Sequence, residues 1–257
     1  MTMRRFIDCC LRILPLLMCC LSMCCGASAP LPEGPGKQVA VFVALCDNEH
    51  QGIAPVPAAI GNGNDPERNL YWGCSDALPR LLRRSKDWGR PLVPEAWLGK
   101  PEAVLRTLVC TRADSAVTVT AYAWRGDAMR ECLEAFEAAL VSGKFELVVF
   151  LGHNGLMDED LPEPAQRTEK AADAMVLCCM SQEYFSPRLE KLGSRAVLTT
   201  RQFMYPAGQV VLAALDAWMR DANDLSAIHH AAGKAYAANQ KISLRAGKGV
   251  FHRHEAD

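Results

Sequence analysis

The sequence predicts an α/β fold: an open, mostly parallel sheet with helices on both faces, in a single domain that follows a short leader. Three observations lead there. From Gln38 onward, apolar runs of strand length alternate with segments whose apolar residues recur at helical spacing. Strands separated by helices are joined by right-handed crossovers, which lay helices over both faces of a parallel sheet. No linker-like stretch, internal repeat or low-complexity tract follows Gly36, so one core serves the whole region.

The elements follow in order. Residues 39–45 form the first strand and residues 76–85 a helix. Residues 104–110 and 117–123, rich in Val and Thr, are strands. In the next helix Met129, Cys132, Leu133, Phe136 and Leu140 share one face; Asp127 is placed to cap its start and Gly143 to end it. A strand at 145–151 comes at once. Residues 157–173 are polar and proline-containing and read as a loop with a short helix at 165–172. A strand at 174–179, a helix at 182–192 that tolerates Pro187, a strand at 196–200 and amphipathic helices at 207–221 and 225–241 complete the pattern. The basic tail from Ala246 to the end is expected to be loose.

The first 29 residues stand apart. Arg4 and Arg5 precede an apolar stretch from Leu11 to Cys25, and the small residues Gly26-Ala27-Ser28-Ala29 follow, the order of a secretory signal peptide. Cleavage fits after Ala27 or Ala29. The expected domains are therefore a signal peptide at 1–29 and the α/β domain at 30–257, periplasmic or secreted. No later apolar run approaches the roughly 20 residues that span a bilayer, so no membrane span is expected after signal removal.

The leader takes three arginines and one aspartate from the 28 basic and 29 acidic residues, which leaves a net charge of about minus three and argues against nucleic acid as a partner. It also takes six of the 12 cysteines. The other six are Cys46, Cys74, Cys110, Cys132, Cys178 and Cys179; Cys110 and Cys132 sit in apolar patterns and read as core.

Two of the apolar runs end in reactive side chains. The run 145–151 stops at Gly152-His153-Asn154-Gly155, and the run ending at Leu177 stops at Cys178-Cys179-Met180-Ser181. If these are neighbouring parallel strands, a histidine and a cysteine emerge together at the carboxyl edge of the sheet, where open α/β folds build their sites. A nucleophilic cysteine needs a base or a positive environment. His153 is the candidate base, and Ser181 is placed to cap a helix whose positive end would lie near Cys179. The amides of Gly155 and Cys179 are the candidate oxyanion donors.

A strand ending in His-x-Gly, a loop, then a strand ending in a small residue and Cys resembles the caspase-like cysteine peptidases, which include caspases, metacaspases, gingipains, separases and CHAT domains. The similarity covers about 35 residues, 145–181, and the hydrophobic-small-Cys-x-Ser segment is most like CHAT domains. Asn154 stands where members often have glycine, and Cys178 where they have alanine. The resemblance implies a caspase-like open sheet and a Cys179/His153 dyad that hydrolyses peptide bonds in a peptide or protein substrate with no cofactor. The alternatives are a non-catalytic binding or scaffold module of the same fold, with His153 and Cys179 as structural residues, and thiol chemistry through the Cys178-Cys179 pair.

The stretch from Cys46 to Gly73 is long for a loop, and long loops tend to carry function. Asp47, Glu49, Asn62, Asp65 and, in the later loop, Asp158 are the candidate substrate-binding residues, forming an acidic pocket for a basic side chain; Asx turns and solvated charge are the plainer reading. No metal-ligand spacing is present there or among His229, His230, His252 and His254. Arg201 and Tyr205 follow a strand and are placed to face the same cleft. Oligomeric state is left open.

Overall fold

The structure, a computed structural model, describes residues 36–89, 101–112, 114–164 and 171–254. The predicted leader and most of the predicted helix at 165–172 lie outside the described residues. The chain runs β1 (Gln38–Ala44), α1 (Leu78–Arg84), β2 (Val104–Thr111), β3 (Thr118–Trp124), α2 (Met129–Leu140), β4 (Leu147–Leu151), a 3₁₀ turn (Gly155–Met157), β5 (Asp173–Leu177), α3 (Ser181–Leu192), β6 (Ala196–Leu198), α4 (Gly208–Arg220), α5 (Leu225–Gln240) and α6 (Leu244–Gly249).

The six strands form one sheet in the order β2-β3-β1-β4-β5-β6; only the β2–β3 pair is antiparallel. The fold is thus a single-domain α/β structure with a mostly parallel sheet. In β1, β4 and β5 nearly every residue is buried, as expected of central parallel strands covered on both faces, whereas the edge strand β2 alternates.

Successive side chains of a strand point to opposite faces. Accordingly Val39, Val41 and Val43 pack under α1, α4 and α5, while Ala40, Phe42 and Ala44 pack under α2 and α3. Phe150 at the centre of the second face lies 5.7 Å from Phe136 of α2 and 5.6 Å from Phe185 of α3, ring centre to ring centre. This double burial holds β4 and β5 in register, and hence whatever leaves their carboxyl ends. Among the described residues no helix is long and apolar enough to cross a membrane.

Three local expectations change. Asp127 does not cap α2: Ala128 occupies the cap position and Asp127 pairs with Arg125 instead. The strand that carries Cys179 and the one after it stop at Leu177 and Leu198, short of the predicted 179 and 200, the first because Met180 turns the chain through the left-handed conformation. The tail is not loose up to His254. It forms α6, buries Val250 and Phe251, and bonds Arg201 and Thr199 through the Val250 carbonyl and the His252 amide.

Candidate functional site

Leu151 of β4 and Leu177 of β5 are register partners, so His153 and Cys179 each lie two residues past the end of a paired strand. Neighbouring strands run about 4.8 Å apart, which places the two residues side by side at the carboxyl edge. The last rung is the Gly152 amide on the Leu177 carbonyl at 3.4 Å. Gly152 sits at φ +151, and a Cβ there would come within 2.7 Å of the Ala44 carbonyl oxygen, so only glycine fits. Beyond that rung the strands part. Among the described residues the amides of Cys179 and Gly155 make no hydrogen bond.

The residue after Cys179 turns the chain into α3. Met180 adopts the left-handed conformation at φ 53 and ψ 29, a strained state for a residue with a side chain. Ser181 is not the helix cap expected of it; Met180 holds that position and no side chain caps the helix. Ser181 instead ties the turn down. Its hydroxyl donates to the Val176 carbonyl at 2.7 Å and accepts from the Thr200 amide at 2.8 Å. Thr200 reciprocates, its hydroxyl accepting from the Ser181 amide at 3.1 Å and donating to the Cys178 carbonyl. Ser181 and Thr200 are both fully buried.

His153 is buried, with 6% of its surface exposed, and its Nε2 lies 2.5 Å from Asp158 Oδ2. The predicted substrate residue Asp158 therefore belongs to the histidine. Asn154, fully buried, donates from Nδ2 to the Cys179 carbonyl at 2.7 Å and accepts the Leu156 amide at 3.1 Å. The departure from glycine at this position is thus a strut between the two strand ends. Cys179 is partly exposed. Its sulfur accepts the Met204 amide at 3.4 Å and approaches the Met204 carbonyl at 3.6 Å. No thiol–imidazole hydrogen bond is present among the described residues, so the sulfur rests on the 201–206 loop rather than on His153.

Cys178 points the other way, into the core under α2 and α3, and burial pushes its thiol well up. The six cysteines of the described residues are all free.

The long loop after β1 brings only part of the predicted acidic group together. A cavity of about 440 Å³ is lined by Asp47, Asn48, Glu49, His50, Asn62 and Asn64 among others. Asp47 is buried, accepts the Glu49 amide at 2.9 Å and lies 3.0 Å from His50 Nδ1; Asn62 accepts the Asn64 amide at 2.8 Å. These are Asx turns built inside the loop. Asp65 does not line the cavity and faces Arg68 at 3.8 Å.

Asn69, which no motif in the sequence marks out, organises the same loop. It accepts the amides of Cys46 and Tyr71, both at 3.1 Å, and donates to the carbonyls of Cys46 at 2.8 Å and Asn62 at 2.9 Å. Its one sequence signal was an Asn among the turn formers of a long loop. Burial pushes Cys46 up to about 11 and Tyr71 well above its ordinary value, with Cys46, Cys179 and Tyr205 as further neighbours of the Tyr71 phenol. Tyr205 therefore lies on the thiol's side of the sheet edge, whereas Arg201 is exposed and tied by its amide to Val250.

No family model, curated protein or solved structure matches the chain.

Proposed function

We propose that the chain is an exported cysteine peptidase of the caspase-like kind, in which Cys179 attacks a peptide carbonyl and His153 carries the protons. The observation that bears most weight is the shared register: a histidine and a partly exposed cysteine leave neighbouring parallel strands at the same level, with a strained residue directly after the cysteine. The leader supports export.

The reaction follows from the groups present. With Nε2 engaged by Asp158, the free nitrogen of His153 is Nδ1. The reaction requires Cys179 to rotate off the Met204 backbone and bring its sulfur to that nitrogen. The thiol proton passes to Nδ1 as sulfur bonds to the carbonyl carbon, and the oxyanion that forms accepts hydrogen bonds from the amides of Cys179 and Gly155, which have no other partner among the described residues. Collapse breaks the carbon–nitrogen bond, and the imidazolium returns its proton to the departing amine. Water then cleaves the thioester with His153 again as base, restoring the thiol.

The position of the sulfur favours a second reading, a binding module of the same fold in which Cys179 merely anchors the 201–206 loop. A panel of irreversible peptide-based thiol probes, applied to the wild type and to Cys179→Ala, separates the two. Labelling lost in Cys179→Ala together with peptide hydrolysis supports the peptidase. Labelling that persists in the variant shows that Cys179 is not the nucleophile, and an unreactive wild type favours the binding module.

A further inference from the structure

We infer that Asp158 is a positioning residue for the proposed reaction, the group that holds His153 in the tautomer with Nδ1 free to act as base; the inference rests on the peptidase reading above. Asp158 lies five residues past His153 in the chain. The 3₁₀ turn Gly155–Met157 folds the chain back, with the Asp158 amide on the Gly155 carbonyl at 3.1 Å, and so returns the carboxylate to the imidazole at 2.5 Å.

The carboxylate is held from a second side. The amide of Gly52, in the loop after β1, donates to the same Oδ2 at 3.1 Å. A Cβ at position 52 would come within 2.6 Å of Asp158 Oδ1, so glycine leaves the space the carboxylate occupies. Two separate loops therefore converge on one oxygen next to His153.

The hydrogen-bond chemistry then sets the imidazole. An ionised carboxylate only accepts, so the proton at this contact belongs to Nε2, and in a neutral imidazole the lone pair is left on Nδ1. When Nδ1 takes the Cys179 proton, the imidazolium that results is paired with the Asp158 carboxylate. The Asn154 strut holds the Cys179 backbone beside the same turn, so one short segment, 153–158, supplies the base, its orienting acid and the tie to the nucleophile.

The test has two arms on the full chain. Imidazole ¹⁵N NMR at neutral pH should show His153 as the Nε2–H tautomer in the wild type and a mixture in Asp158→Ala, with thermal unfolding confirming that the variant is folded. The rate of Cys179 labelling should fall roughly 10²- to 10⁴-fold in Asp158→Asn and Asp158→Ala, with partial rescue in Asp158→Glu. An Nδ1–H tautomer in the wild type, or equal labelling rates in wild type and Asp158→Ala, would overturn the proposal. If the wild type itself fails to label, the peptidase reading falls; loss of the Nε2–H tautomer in Asp158→Ala would then still support Asp158 as the group that sets His153, and an unchanged tautomer would overturn that too.

Discussion

The two loops that meet at the carboxyl edge of the sheet are held in different ways. The turn after β5 is three residues long, tied by two buried hydroxyls that bond each other's amides, and bends through a left-handed methionine. The loop after β1 is long and polar, and the side-chain amides of Asn48, Gln51 and Asn69 stand in for the backbone partners it lacks. A short turn can be fixed by a few local bonds plus strain. A long loop needs side chains that carry both a donor and an acceptor, because the backbone groups it does bury have no ladder to pair with.

The largest effect is expected from Asn69→Ala, which strips four buried or part-buried backbone groups of their partner. At roughly 1–3 kcal/mol for each orphaned group, partly recovered by water, the loss of unfolding free energy in urea should be about 4 kcal/mol. Hydrogen exchange should rise mainly in the loop after β1. Equal loosening of the turn at 178–181 would break the distinction between the two regions.

Next is Thr200→Val, which keeps the shape but removes the acceptor for the Ser181 amide and the donor to the Cys178 carbonyl. A loss of about 2–3 kcal/mol is expected. Here the exchange should rise at Ser181 and Gln182 while the β1 loop stays protected, the mirror image of the first result.

A smaller effect, opposite in sign for the two regions, is expected from acid. Next to the turn, His254 Nε2 lies 2.8 Å from the Thr199 hydroxyl, and burial first, then His252 and His229, push this imidazole down to about 4. The docked tail therefore binds fewer protons than a released one between an ordinary imidazole value of about 6.5 and about 4, so its hold is complete above that window and is lost as pH falls through it. Allowing for solvent screening of a partly exposed ring, the loss is on the order of 1–2 kcal/mol. In the β1 loop His50 shifts upward through its hydrogen bond with Asp47 and the charge of that carboxylate. Its contribution is complete below the ordinary value and fades as pH rises through the raised one. Hydrogen exchange followed from pH 7 to 4.5 should show protection falling at the amides of Arg201 and His252 and holding at Asp47 and Glu49. The same trend in both regions would show that acid acts on the whole domain.

Much of the architecture was legible from pattern alone. The runs at 39–45 and 145–151 read as strands because a parallel sheet buries both faces and leaves unbroken apolar stretches, and α2 read as a helix because Met129, Cys132, Leu133, Phe136 and Leu140 fall on one side. His153 and Cys179 stood out for the same reason, as reactive residues directly after such runs.

Contacts between distant segments were not legible. Asp158 looked like one acidic loop residue among several, and only the return of the chain through Gly155–Met157 brings it to His153 rather than to Asp47 and Glu49. Ser181 had the composition of a helix cap, yet the nearness of Thr200, nineteen positions away, drew its hydroxyl into the turn. The tail looked loose because it is basic, but Phe251 found a cover in Tyr236, 5.8 Å away.

By itself the sequence determined the order of strands and helices and the two strand ends that carry His153 and Cys179, since burial periodicity and chain direction are local properties. Tertiary structure decided which groups those residues bond: His153 takes Asp158, Cys179 rests on Met204, and Asn154 braces the gap between them. The physical reason is range. A hydrogen bond acts over about 3 Å in space but has no fixed reach along the chain, so its partner is settled only when packing has brought the segments together.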